Sequence, residues 1–319
     1  FVETPFRRKD RISTPMVYSF SGLGFVFFTS FGLWGFLTDG FRAPPAETQA
    51  SSISYPLEPR LQQDIWVIGD SHGGHLMHGL GRVTTGQVTG ILSPGCIPLR
   101  DVDRYDYRYR PGDCAQAMNA GLDRVISEDP DALVLLASMG PVYLDGTAFR
   151  GKDQARVTGL GVELITDRSL RDRWAVFEMG LRQTFTELSA LERAEPIFVI
   201  DVPELGIDEG CQAASKAIKT PFFEIHDPLD PVSIDACQVS RVEYDQRTRR
   251  YRALVHSVVG EFPRVRVYDP TAVFCDDIRC SGFNGEAGFL YSDVDHLSAS
   301  GSRFWADQFA SWLIHGKQK

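Results

Sequence analysis

Two short stretches at opposite ends of the chain hold the residue types that act on esters. The first is Ile65-Trp66-Val67-Ile68-Gly69-Asp70-Ser71-His72, an apolar run that breaks at Gly-Asp-Ser and continues into a helical pattern. A serine at such a strand-to-helix turn is held on a tight backbone that Gly69 permits. The amides of the following helix start lie near any oxyanion that develops on a bound acyl group. The second is Asp293-Val294-Asp295-His296. Three positions apart, Asp293 and His296 share one face of a turn. The carboxylate can fix the imidazole tautomer, leaving the other ring nitrogen to take the proton of the Ser71 hydroxyl. Asp295, next to the histidine, is expected to point elsewhere and is given no role. Gly69 to Gly73 also satisfies G-x-S-x-G, the nucleophile elbow. Here, however, the serine closes the first strand of its domain, where an elbow follows several strands.

The elements that must position these residues are legible as alternation. Apolar runs at Ile65–Ile68, Val88–Leu92, Ala132–Ala137, Ile197–Val202 and Val265–Tyr268 read as five strands, and their near-continuous Val, Ile and Leu imply burial on both faces. Helices fit the gaps at Gly74–Val83, Ala115–Glu128, Leu170–Glu195, Ser233–Phe262 and Ser298–His315. Parallel strands joined by helices predict an α/β, doubly wound, mostly parallel five-stranded sheet in the order 2-1-3-4-5, with ligands at the carboxyl ends of its strands. Residues 139 to 168 carry no strong period and read as an excursion beside the site.

Ahead of this domain, residues 12 to 38 lack any charge, and the 21 residues from Val17 to Leu37 include thirteen large apolar side chains. That length matches a membrane-spanning helix, with a buried helix of a globule as the competing reading. Arg7, Arg8, Lys9 and Arg11 precede the run and Asp39 and Glu47 come after it, so the N-terminal side is expected to be cytoplasmic. Residues 38–63, rich in Pro, Ser, Ala and Gln, read as a periplasmic linker, and residues 64–319 as the catalytic domain. The chain begins at Phe1 and reads as a fragment of something longer.

All six cysteines lie beyond the apolar run, as an oxidising compartment allows. Six cysteines permit fifteen pairings; nearest-neighbour closure favours Cys96 with Cys114, Cys211 with Cys237, and Cys275 with Cys280. With no Cys-x-x-Cys pair present, a cysteine zinc site is the weaker reading and no metal is expected. A net charge of -9, without a dense basic run in the soluble part, argues against a nucleic-acid partner. His72, His75 and His78 sit at helical spacing and are expected to line the cleft mouth or face solvent rather than bind metal. Arg247, Arg249, Arg250 and Arg252 read as a solvated helix face, with a lipid headgroup or anionic glycan as the alternative contact.

Gly-Asp-Ser at 69 to 71 and Asp293-x-x-His296 resemble the first and last blocks of the SGNH (GDSL-like) hydrolase superfamily over residues 64 to 315. The resemblance implies a flavodoxin-like fold and a triad of Ser71, His296 and Asp293. It also implies an oxyanion hole from the Ser71 amide and, in the turn after the second strand, Gly95. The family's third block departs here. Where Gly-x-Asn-Asp is usual the chain has Ala137-Ser138-Met139-Gly140, and its only asparagines, Asn119 and Asn284, lie elsewhere. Ser138 is the candidate substitute donor.

A narrower resemblance is to SGNH domains fused behind membrane acyltransferases that O-acetylate bacterial surface polysaccharides. Val2-Glu3-x-Pro5-Phe6-Arg7 looks like the end of such a membrane domain, which makes residues 1–16 its cytoplasmic end and 17–37 an extra transmembrane helix. This narrower resemblance implies an O-acyltransferase, in the first instance an O-acetyltransferase, at the bacterial inner membrane with its catalytic domain in the periplasm. Its partners would be the upstream membrane domain and a polysaccharide acceptor. The same resemblance implies that no cofactor is bound by the domain itself and that acetyl-CoA is the ultimate donor. A tethered esterase and an inactive glycan-binding module are the alternatives.

Overall fold

The computed structural model describes residues 14–37, 60–106, 108–151, 159–206 and 234–316. The chain divides into two compact units, Phe1–Tyr55 and Pro56–Lys319. Among the described residues of the first lies the helix α1 (Thr14–Leu37), of 24 residues without a charged side chain. Phe25, Phe28 and Trp34 on it are exposed. Among the described residues no helix is long and apolar enough to cross a membrane. The span expected over 17–37 is therefore met by a helix but not established as a crossing. Most of the expected linker, and nearly all of residues 1–16, lie outside the described residues.

In the second unit the elements run β1 (Asp64–Gly69), α2 (Ser71–Val83), β2 (Val88–Leu92), β3 (Val102–Tyr105), α3 (Asp113–Glu128), β4 (Ala132–Ala137), α4 (Gly140–Asp145), β5 (Gly161–Leu164), α5 (Arg173–Ser189) and β6 (Glu195–Val199). Then come β7 (Gln238–Ser240), α6 (Arg241–Val259), β8 (Arg266–Tyr268), α7 (Thr271–Phe274), β9 (Arg279–Ser281), β10 (Phe283–Asn284), β11 (Gly288–Phe289) and α8 (Ala299–Gly316). Five strands form one sheet, β2-β1-β4-β6-β8. Counted among themselves along the chain, they stand 2-1-3-4-5, and every pair is parallel.

Continuous apolar strands bury both faces because alternate residues enter different cores. Trp66, Ile68, Val134 and Leu136 pack beneath α3, α5 and α6. Ile65, Val67, Leu133 and Leu135 pack beneath α2 and α8. The last two helices meet at Gly79, whose amide donates to Ser302 Oγ at 2.8 Å. A β-carbon on Gly79 would stand 2.0 Å from the Ser302 carbonyl oxygen, so only glycine allows this approach. That contact joins the helix that begins at Ser71 to the one that comes after His296.

Two long helices are shorter than expected, and caps explain both. Asp172 accepts the Trp174 amide and starts α5 at Arg173, after which Asp129 gathers the amides of Glu192, Arg193 and Ala194 into the turn before β6. Ser240 accepts the Glu243 amide while its hydroxyl donates to the Glu243 carboxylate, so α6 starts at Arg241 and the residues before it form β7, paired with β9. The excursion at 139 to 168 contains α4 and β5, the latter antiparallel to β3.

The arginines of α6 are only in part a solvated face. Arg247 pairs with Glu204 and Asp145, Arg252 with Asp269, and Arg250 lies 3.9 Å over the Trp174 ring. Arg249 and Arg250 keep to the expectation, both being exposed. Cys96–Cys114 and Cys275–Cys280 are disulfides, as nearest-neighbour pairing predicts. Cys237 is also disulfide-bonded; Cys211, its expected partner, lies outside the described residues.

Candidate active site

The site is built at the carboxyl ends of β1, β4 and β6. Gly69 ends β1 so close to β4 that a β-carbon would lie 2.0 Å from the Ala137 carbonyl oxygen. Asp70 then caps α2. One carboxylate oxygen accepts the His72 amide at 2.7 Å, and the other accepts the Met139 amide and the Tyr143 hydroxyl. Asp70 thus rivets the turn after β1 to the turn after β4 and leaves Ser71 as the first residue of the helix.

His296 arrives from the other end of the chain on a tight turn. One oxygen of Asp293 accepts the amides of Asp295 and His296 at 3.1 and 2.7 Å, and the Ser292 amide donates to the His296 carbonyl. The same Asp293 oxygen lies 3.0 Å from His296 Nδ1, and Nε2 lies 2.8 Å from Ser71 Oγ. Ser71, His296 and Asp293, assembled across 225 positions, therefore form a continuous chain of hydrogen bonds. With Nδ1–H donating to Asp293, Nε2 is the acceptor for the serine hydroxyl.

Burial opposes the charged forms of both partners, and their mutual contact outweighs it. The Asp293 carboxyl is held well below the usual range by its bonds and charge contact with His296. His296 is raised to about 9, chiefly by Asp293 and Asp295.

Asp295 is not turned away, contrary to expectation. Its Oδ1 stands 2.8 Å from His296 Nδ1, outside hydrogen-bond alignment, and is buried without a hydrogen bond. The reason is the turn itself: because Asp293 draws in two successive amides, residue 295 folds back under the ring.

The histidines of α2 also depart from expectation. His72 is 2% exposed, and its Nδ1 lies 2.7 Å from Asp201 Oδ1. His75 accepts the Leu297 amide at 3.3 Å and is pushed well down by burial and by the charges of His72 and His296. His78 alone is exposed. Asp201 was not singled out from sequence, although a carboxylate just past the carboxyl end of a buried strand is a signal in this fold.

Gly95 sits in the turn after β2 with φ +76°, a backbone that favours glycine. Its carbonyl accepts Arg104 Nη1 at 3.0 Å, while the Tyr109 hydroxyl donates to the neighbouring Pro94 carbonyl. The Cys96–Cys114 disulfide ties this turn to α3. Ser138, buried at the end of β4, lines a small cavity with His72, His75 and Asp201. Ligand-type atoms of His72, Asp295 and His296 lie within 4.8 Å of one another. Both nitrogens of His296 in this grouping are already engaged, Nε2 by Ser71 and Nδ1 by Asp293.

A parallel α/β domain carrying a serine, an imidazole and a carboxylate in one hydrogen-bonded line at the sheet's carboxyl edge has the arrangement that ester cleavage or acyl transfer through a serine would need. The family model described as "SGNH domain (fused to AT3 domains)" matches residues 46–311, and the chain belongs to that family. Among solved structures it is similar to the periplasmic domain of a lipopolysaccharide acetyltransferase from Salmonella ser. Paratyphi A. The two are 18% identical over 89% of this chain and 96% of that one, with a TM-score of 0.49. No curated protein matches the chain.

Proposed function

We propose that this domain is an O-acyltransferase, in the first instance an O-acetyltransferase, that passes an acyl group through Ser71 to a hydroxyl of an extracytoplasmic polysaccharide. The observation that carries the reading is the 2.8 Å contact of Ser71 Oγ with His296 Nε2, backed by Asp293 on the opposite ring nitrogen.

In the first half-reaction Ser71 Oγ attacks the acyl carbonyl as Nε2 takes its proton. The imidazolium, steadied by Asp293, returns that proton to the departing group and leaves an acyl-serine. In the second half the acceptor hydroxyl gives its proton to Nε2 and attacks the same carbonyl, and Ser71 recovers the proton as it leaves. The Ser71 and Gly95 amides are the proposed oxyanion donors, with Ser138 in place of the family's asparagine. Fusion to AT3 domains in this family supports an upstream membrane partner that delivers the acyl group from acetyl-CoA. On this reading α1 is a membrane tether and the catalytic domain is periplasmic; cysteine labelling on either side of the membrane in intact cells tests that placement.

The test is the full protein in membranes with labelled acetyl donor and polysaccharide. Label on sugar that disappears in Ser71→Ala is the expected result. Release of free acetate alone would make the domain an esterase. Unchanged sugar labelling in a folded Ser71→Ala protein would overturn the acyl-serine and leave a glycan-binding role.

A further inference from the structure

Against the His296 ring stands a second imidazole with a carboxylate of its own. The rings of His72 and His296 are 4.7 Å apart, tilted at 51°. Asp201 holds His72 Nδ1 at 2.7 Å with one oxygen and accepts the Gly140 amide with the other. His72 and Asp201 are both buried, at 2% and 7% exposure. Two buried polar atoms here have no hydrogen bond, His72 Nε2 and Asp295 Oδ1.

Charge counting shows why the second pair matters. His296 faces Asp293 and Asp295 from its own turn, and Ser71, His72 and His75 from α2. Two carboxylates around one imidazole hold its proton too firmly for a ring that must take a proton and give it back. A cation beside them is needed. Burial by itself would push His72 down, but the Asp201 carboxylate, followed by Asp70 and Asp295, outweighs it and raises it to about 10.

We infer that His72 is a positioning residue for the Ser71–His296 pair: clamped by Asp201, its imidazolium balances Asp295 and leaves Asp293 to orient the base. The inference rests on the proposed roles of Ser71 and His296. It goes beyond them in giving the site two carboxylate–imidazole pairs, one that moves a proton and one that keeps its own.

The experiment uses the full chain with carbon-13-labelled histidine, following each ring by NMR against pH, with the His296 and His72 signals assigned by their loss in His296→Gln and His72→Gln. Beside it runs the pH profile of kcat/KM for 4-nitrophenyl acetate. In His72→Gln the His296 midpoint moves up by about one pH unit. The acid limb of kcat/KM moves with it, a change that a merely structural role would not produce. Asp295→Asn moves both down, and the double variant returns them toward wild type. An unmoved His296 midpoint in folded His72→Gln overturns the inference. So does a His72 that is neutral at pH 7 in the wild-type chain, a measurement that needs no variant to fold. Loss of the acyl-serine reading shows separately, as ester cleavage that survives Ser71→Ala, while the ring titrations still report on His72.

Discussion

The two aspartate–histidine pairs of the site are alike in contact and opposite in origin. Asp293 and His296 are three residues apart on a half-buried turn, with side-chain exposures of 34% and 21%. Asp201 and His72 are 129 residues apart, on β-strand and helix ends, with exposures of 4% and 2%. A pair at the surface of a cleft can change protonation as the reaction needs, because water and substrate reach it. A pair sealed in the interior cannot lose its charge on either side without exposing the other to an apolar surround. The first is suited to moving a proton, the second to holding one.

The sharpest way to break that contrast is to remove the groups assigned to chemistry. Ser71→Ala and His296→Gln are each expected to lower acyl transfer by about ten-thousand-fold, since residues of such a unit act together. Circular dichroism and the unfolding midpoint should stay near wild type, because neither side chain is part of a core. Next in size is a matched pair of substitutions. Asp293→Asn should cost about a hundred- to ten-thousand-fold in kcat by releasing the ring tautomer, with little change in stability. Asp201→Asn should do the reverse, losing about 3–5 kcal/mol in urea unfolding because it leaves a buried imidazolium without its counter-charge. Equal effects of the two on stability would dissolve the distinction.

The same contrast explains what could be read from sequence. The Gly69 turn, Ser71 and the Asp293-x-x-His296 spacing are local patterns, and local geometry suffices to bring Asp293 to His296. The five strands announced themselves because burial on both faces demands unbroken apolar runs, as in β4, where all six residues are buried. The partnership of His72 with Asp201 has no local signature. Spacing along α2 shows that His72 and His75 share a face, but not that the turn after β11 and the end of β6 cover it. Asp295 was misplaced for a different reason: adjacency implies divergence on a helix or strand, whereas a turn cinched by the Asp293 carboxylate returns both side chains to one ring. In α6, likewise, sequence spacing marked four arginines as one exposed group, while Glu204, Asp145 and Asp269, all distant in the chain, claim two of them.

The smallest expected effect concerns Asp295, and it separates the carboxylate that orients His296 from the one that merely charges its surroundings. On the proposed mechanism neutral His296 is the base, and with its pKa raised to about 9 the fraction in that form grows as pH rises toward that value. For the free enzyme kcat/KM should therefore climb with pH and level off above about 9. Asp295→Asn removes a negative charge that favours the protonated ring, so the limb should shift to lower pH by roughly one unit. Its plateau should fall only a few-fold, because the tautomer is still fixed by Asp293. The outcome is read as two numbers from one profile, midpoint and plateau. A lowered midpoint with a preserved plateau assigns orientation to Asp293 alone. A collapsed plateau would mean that the two carboxylates share the task, and the triad would have to be written with Asp295 as its third member.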